Sequence, residues 1–166
     1  MDNLPQRKKI RLKGFDYSQA GYYFVTICTH NRRKLLSNIV GGGFHAAPQA
    51  KLTLIGKEIV KTLEHINDYP NVKIDQYVIM PNHIHFIVIL QSFRPGGRGN
   101  PPLHKVVGQL KSYTNKMYNE INRSKNLLLW QRNYYDRIIR DERELQDIRE
   151  YIETNPLKWH EDKYFV

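Results

Sequence analysis

The chain has 166 residues, 40% of them hydrophobic, enough for one core and short for several. Its 26 Lys and Arg against 16 Asp and Glu leave a formal charge of +10, which favours a polyanionic partner, nucleic acid first. A single cysteine, Cys28, excludes an internal disulfide framework and a cysteine-built zinc site, and no apolar run reaches the ~18 residues that span a bilayer. The expected organisation is one domain over residues 1–166 with a basic arm at about 1–14, in the reducing cytoplasm.

The opening MDNLPQRKKIRLKGFDYSQ is basic with no apolar segment behind it, so it does not read as a secretory signal. Its Arg7, Lys8, Lys9 and Arg11 form an arm suited to a phosphate backbone. GYYFVTICTH, residues 21–30, is β-branched and aromatic and predicts a strand. The Gly, Ala and Pro-rich end of the following NRRKLLSNIVGGGFHAAPQA reads as a surface loop, and Arg32, Arg33 and Lys34 after the first strand are candidates to hold phosphates. Residues 52–66 carry apolar side chains at 55, 59, 63 and 66, a helical period that Thr53 can cap. VKIDQYVIM and PNHIHFIVIL predict two strands joined tightly at Pro81-Asn82.

QSFRPGGRGNPP predicts a basic loop carrying Arg94 and Arg98. Residues 103–121 show a second helical period, and the preceding Pro pair suits its entrance. Residues 126–140 read as extended or irregular with one strand. Residues 141–155 predict the last helix, acidic at its start and ended by Pro156. The order is α+β, a ferredoxin-like (RRM-like) antiparallel sheet with helices, plus one C-terminal helix left over.

The strand HIHFIVIL sets two imidazoles, His83 and His85, on one face about 7 Å apart, because alternate strand residues share a face. An unpartnered buried polar group costs a few kcal/mol, so something must meet these rings. Two imidazoles beside a turn suit one metal ion or one phosphate; core histidines satisfied by backbone carbonyls are the plainer alternative. On the last helix, Leu145, Ile148 and Ile152 make an apolar stripe bordered by Tyr151 and Asn155, an i, i+4 pair able to reach one spot. If that helix covers the histidine face, Tyr151 offers a nucleophile and Asn155 a neutral oxygen ligand. Tyr134 and Tyr135 are competing phenols. Eleven tyrosines in all, many beside basic residues, also suit stacking on single-stranded bases.

MPNHIHFIV followed by LWQRNYYDRIIRDERELQDIREYIETNPLKW resembles the REP-associated tyrosine transposases, members of the single-tyrosine HUH transposases of insertion-sequence type. The resemblance runs from RLKGFDYSQAGYYFVTICTH to NPLKW. It implies a catalytic Tyr151, metal ligands His83 and His85, and a third ligand at Asn155, where some relatives carry glutamine. It further implies single-stranded DNA with a hairpin as substrate and Mg2+ or Mn2+ as cofactor. The expected products are a 5′-phosphotyrosine and a free 3′-OH, later rejoined; some relatives act as homodimers. Two other readings stand beside it: a non-catalytic RRM-like nucleic-acid binder, and a metal-dependent hydrolase that uses water instead of the phenol.

Overall fold

The computed structural model describes residues 16–41, 47–91 and 100–166. Four strands build the main sheet: β1 (Gly21–Cys28), β4 (Val72–Ile79), β5 (His83–Leu90) and β6 (Tyr135–Ile139). Their order is β4-β5-β1-β6, and every neighbouring pair is antiparallel. Helix α1 (Leu54–Ile66) connects β1 to β4 by way of a small two-stranded sheet, and α2 (Leu103–Ile121) connects β5 to β6. This βαββαβ order is the ferredoxin-like arrangement that the alternation of periods predicts.

The two faces of the sheet are covered by different helices. Tyr23, Val25 and Ile27 of β1 and Ile84, Phe86, Val88 and Leu90 of β5 point to the side packed by α1 and α2. Those helices contribute Ile55, Ile59, Leu63 and Ile66, and Leu103, Val106, Val107 and Leu110. The opposite side carries Phe24, Ile87 and Ile139, which pack against Leu145, Ile148 and Ile152 of α3 (Glu142–Thr154). His83 and His85 alternate with the main-core residues of β5, so they lie on the α3 side.

Helix α3 has 13 residues, too short to persist alone in water. Burying its three apolar side chains supplies roughly 5–9 kcal/mol, an upper figure that still exceeds what propensity offers a helix of this size. Its start is fixed by Asp141, whose carboxylate accepts from Glu144 N at 2.8 Å, while Glu144 Oε2 accepts from Arg140 N at 2.8 Å. Arg149 adds a bidentate pair to Asp75 of β4 at 2.8 and 2.9 Å, aligning α3 across the sheet.

Two short strands between β1 and α1 were not anticipated, and the Gly-rich stretch expected as a loop lies largely at 42–46, outside the described residues. A 3₁₀ turn (His30–Arg32) is followed by β2 (Ser37–Val40) and β3 (Gln49–Leu52), an antiparallel pair in register Ser37↔Leu52 to Val40↔Gln49. Strands of four residues are too short for alternation to stand out, and the Gly and Pro residues between them dominated the pattern. The Pro81-Asn82 turn is as tight as expected, with Met80 N donating to His83 O at 2.9 Å. After α3 the chain continues in a 3₁₀ segment (Asn155–Glu161) and a short tail that returns over the histidines.

Candidate active site

Both imidazoles are fully buried, and each is held through Nδ1. Asn82 is buried as well, and its Nδ2 donates to Tyr164 O at 2.7 Å. A carbonyl can only accept, so the amide orientation follows: Asn82 Oδ1 faces His83 Nδ1 at 2.9 Å, and His83 must donate there. His85 Nδ1 lies 2.8 Å from Thr26 Oγ1, its direct partner across the β1–β5 ladder. The Nε2 atom of His83 is thereby left as the lone-pair nitrogen, whereas the Thr26 hydroxyl can donate to or accept from His85 and fixes no tautomer there. The two rings stand close, with centroids 4.5 Å apart.

Burial pushes His83 down to about 4 and His85 well below the ordinary imidazole value; the His83 ring and Lys163 add to the lowering at His85. The Asp162 carboxylate opposes the shift at His83. Neutral imidazoles are the form that binds metal ions.

Helix α3 brings Tyr151 to this pair. Its hydroxyl lies 3.2 Å from His85 Nε2, and its ring packs 5.2 Å from His85 and edge-on to Phe24 at 6.1 Å. The phenol is 38% exposed, so an incoming group can reach it. Burial of the remainder, with the Asp162 carboxylate nearby, pushes its pKa up to about 12. Asn155, one turn later, is 3% exposed, and its Oδ1 is buried without a hydrogen-bond partner. His83 Nε2 is in the same condition.

Two residues in the site were not anticipated. Asp162 Oδ2 accepts from Asn155 Nδ2 at 3.0 Å and lies 3.9 Å from His83 Nε2. Ligand atoms of His83, His85 and Asp162 all fall within 4.8 Å of one another, a spacing one divalent ion can bridge. Tyr164 covers the imidazoles, its ring 4.6 Å from His83 and 5.8 Å from His85. Both lie beyond the last helical period, where carboxylates are common and spacing carries no signal. The aromatic density of WHEDKYF is the one hint that this tail docks.

A cleft of about 290 Å3 lies beside the site, lined by Tyr151, Thr154, Asn155 and Asp162 together with Lys158, Glu161 and Lys163. A wider groove of about 660 Å3 runs between α1 and α2 on the other side of the sheet, away from the imidazoles.

The expected phosphate-binding residues are distributed unevenly. Arg32 stacks on the Tyr164 ring at 5.5 Å and donates to Lys163 O at 3.4 Å, while Lys34 lies 5.2 Å from the Phe165 ring. Arg33 donates to Leu128 O at 2.7 Å and to His30 O at 3.3 Å, so part of its guanidinium is committed to backbone. Arg7, Lys8, Lys9, Arg11, Arg94 and Arg98 lie outside the described residues. Of the competing phenols, Tyr134 packs against the α1–α2 core, and Tyr135 is an exposed β6 residue beside Lys163. Among the described residues, no helix is long and apolar enough to cross a membrane.

Residues 17–155 match the family model of IS200-like transposases. An uncharacterised protein of Haemophilus influenzae (strain ATCC 51907 / DSM 11121 / KW20 / Rd) is 36% identical over 98% of this chain and 95% of its own length. Among solved structures, a REP-associated tyrosine transposase bound to a REP hairpin superposes with a TM-score of 0.58 at 21% identity, over 92% of this chain and 76% of that one. A putative transposase from Deinococcus radiodurans has a TM-score of 0.48 at 16% identity, over 87% of this chain and 97% of that one. With the family match extending from the residues before β1 to the end of α3, the chain belongs to the IS200-like transposases.

Proposed function

We propose that this transposase cleaves and rejoins single-stranded DNA beside a hairpin, with Tyr151 as the nucleophile and a divalent cation, Mg2+ or Mn2+, held by His83, His85 and Asn155. The observation that carries the reading is local. A phenol stands 3.2 Å from one imidazole nitrogen, and the neighbouring imidazole nitrogen and amide oxygen are buried with no partner. Orphaned buried polar atoms are costly, and two of them in one site, beside a second imidazole, fit a cation. When bound, the cation supplies Lewis-acid polarisation of the scissile phosphate and offsets charge that develops there.

The chain's own residues do the rest. Tyr151 lines the cleft and sets its hydroxyl beside His85. At neutral pH the phenol keeps its proton, so attack requires its removal. The Tyr151 oxygen then bonds to phosphorus, and the bond from phosphorus to the 3′ oxygen breaks. The leaving oxygen takes up a proton and becomes a 3′-OH. The 5′-phosphotyrosine conserves the energy of the phosphodiester, so attack by a second 3′-OH can rejoin the strand without ATP. Lys158 and Lys163 of the cleft, with Arg32 beside the tail, suit the backbone phosphates.

The hairpin substrate is suggested by the fold relative, whose structure contains a REP hairpin. The basic arm of Arg7, Lys8, Lys9 and Arg11, with the loop residues Arg94 and Arg98, is proposed to follow its stem. The proposal assembles the site within one chain, where Tyr151 meets His85 and Asp162 lies near both imidazoles.

The test is incubation with a labelled hairpin oligonucleotide from the DNA flanking the gene, with Mg2+, Mn2+ or EDTA. The expected result is a metal-dependent adduct that survives SDS. Nicking without an adduct would favour the hydrolase, and binding without either would favour an RRM-like binder.

A further inference from the structure

We infer that Asp162, from the C-terminal tail, is a direct donor to the divalent cation, making the set two imidazoles, one amide and one carboxylate. This rests on the cation site proposed above and adds to it a residue beyond the helix that carries Tyr151.

Three observations converge. The Asp162 side chain is only 3% exposed, and its Oδ2 lies 3.9 Å from the orphaned Nε2 of His83. The ligand atoms of Asp162, His83 and His85 form one group within 4.8 Å. Asn155 donates its amide nitrogen to Asp162 Oδ2 at 3.0 Å, and its Oδ1 is buried without a hydrogen-bond partner. Among the described residues, no Lys or Arg forms an ion pair with this carboxylate. A buried carboxylate is unfavourable unless a cation joins it. One divalent ion would satisfy the carboxylate, the imidazole and the amide oxygen together.

The tail is built to hold the carboxylate in this pose. Asp162 Oδ1 is occupied by Tyr164 N at 2.6 Å, which leaves Oδ2 for the site. Phe165 N donates to Asp162 O at 2.8 Å, closing the turn. Asn82 anchors the same turn through Tyr164 O while its Oδ1 fixes His83. The tail and the imidazole thus share one positioning residue. Replacing an all-neutral donor set with one that includes a carboxylate also favours the harder ions, Mn2+ and Mg2+.

A purely orienting role would make Asp162 a partner of Asn155 and nothing more. Asp162→Asn removes the charge, but its one amide oxygen can accept from only one of Tyr164 N and Asn155 Nδ2, so it is made both in the wild type and in Asn155→Ala, where a role exerted through Asn155 has nothing to act on. The measurement is Mn2+ affinity of the full chain without DNA, by the electron paramagnetic resonance of free Mn2+, with metal-free and metal-loaded melting temperatures alongside. The expected result is affinity lower by about tenfold or more on Asp162→Asn in both backgrounds, with a smaller metal-induced rise in melting temperature. Asp162→Glu, which keeps the charge, should bind more tightly than Asp162→Asn, and it serves as the variant if Asn fails to fold. An Asn variant that binds Mn2+ as the wild type does, a loss absent from the Asn155→Ala background, or a Glu variant no better than a folded Asn variant, overturns this inference alone. If Glu must serve alone, affinity matching that of a His83→Gln control overturns it. A wild-type chain that takes up no Mn2+ overturns the cation site and this inference together.

Discussion

Replacing Asn82 by Ala tests how the site is prepared. Asn82 is fully buried and makes two side-chain hydrogen bonds, Nδ2 to Tyr164 O at 2.7 Å and Oδ1 to His83 Nδ1 at 2.9 Å. Truncation leaves the ring N–H and the tail carbonyl unpaired. A buried polar group stranded this way costs ~1–3 kcal/mol, with the half-buried carbonyl near the low end, for a total of roughly 2–4 kcal/mol. Urea denaturation of the metal-free chain reads that loss. The second consequence is chemical. Without Asn82 the His83 ring is free to place its proton on Nε2, the atom proposed to hold the cation, and loss of such a partner typically costs about 10–100-fold in metal affinity. Asn82→Asp keeps the acceptor for His83 Nδ1 but sets a carboxylate against the Tyr164 carbonyl. It should therefore hold Mn2+ better than Asn82→Ala while losing the tail contact. An alanine variant that binds Mn2+ as tightly as the wild type would refute the orienting role, and unchanged stability would refute the burial argument.

Other perturbations follow from the same geometry. His83 is buried neutral, so between its unfolded value of 6.5 and about 4 the unfolded chain binds more protons than the folded one. Metal-free stability is therefore fully present above pH 6.5 and falls as the pH drops through that window, by up to ~1.4 kcal/mol per pH unit for each such imidazole; urea midpoints that stay flat from neutral pH to pH 4.5 would contradict it. Ile152→Ala should cost ~2–5 kcal/mol, because the side chain is 1% exposed and the α3 face has few other anchors; a loss near zero in urea titration would mean that α3 is not docked as described. Gly56→Ala should lower the melting temperature, although alanine is ordinarily ~1 kcal/mol better than glycine in a helix. A Cβ there would sit 2.2 Å from Leu36 O, which already accepts from Thr53 N and Thr53 Oγ1, so a rise in melting temperature would refute that close approach.

The parts legible in the sequence were those with a period. The β5 pattern put His83 and His85 on one face, and the apolar stripe of α3 fixed which side of that helix meets the sheet. Together they made Tyr151 a candidate on the condition that the helix covers that face; the resemblance singled it out from Tyr134 and Tyr135, and the fold sets its hydroxyl 3.2 Å from His85 Nε2. The short β2 and β3 strands carried no such signal and were hidden by their glycines and prolines. Asn82 read only as a turn residue, because its second role depends on a carbonyl 82 positions away in the chain. Asp162 was illegible for a related reason. Its approach to His83 is set by the 3₁₀ segment after Pro156 and by the tail turn, neither of which has a sequence period.

The central claim is that Tyr151 forms the covalent bond to DNA. Its most direct test is peptide mapping by mass spectrometry of the protein–DNA adduct formed by the wild type, with Tyr151→Phe in parallel. The account predicts a nucleotide phosphate on Tyr151 and neither adduct nor cleavage from the variant. A modification on Tyr164 or Tyr135, or strand cleavage that persists in Tyr151→Phe, would contradict it.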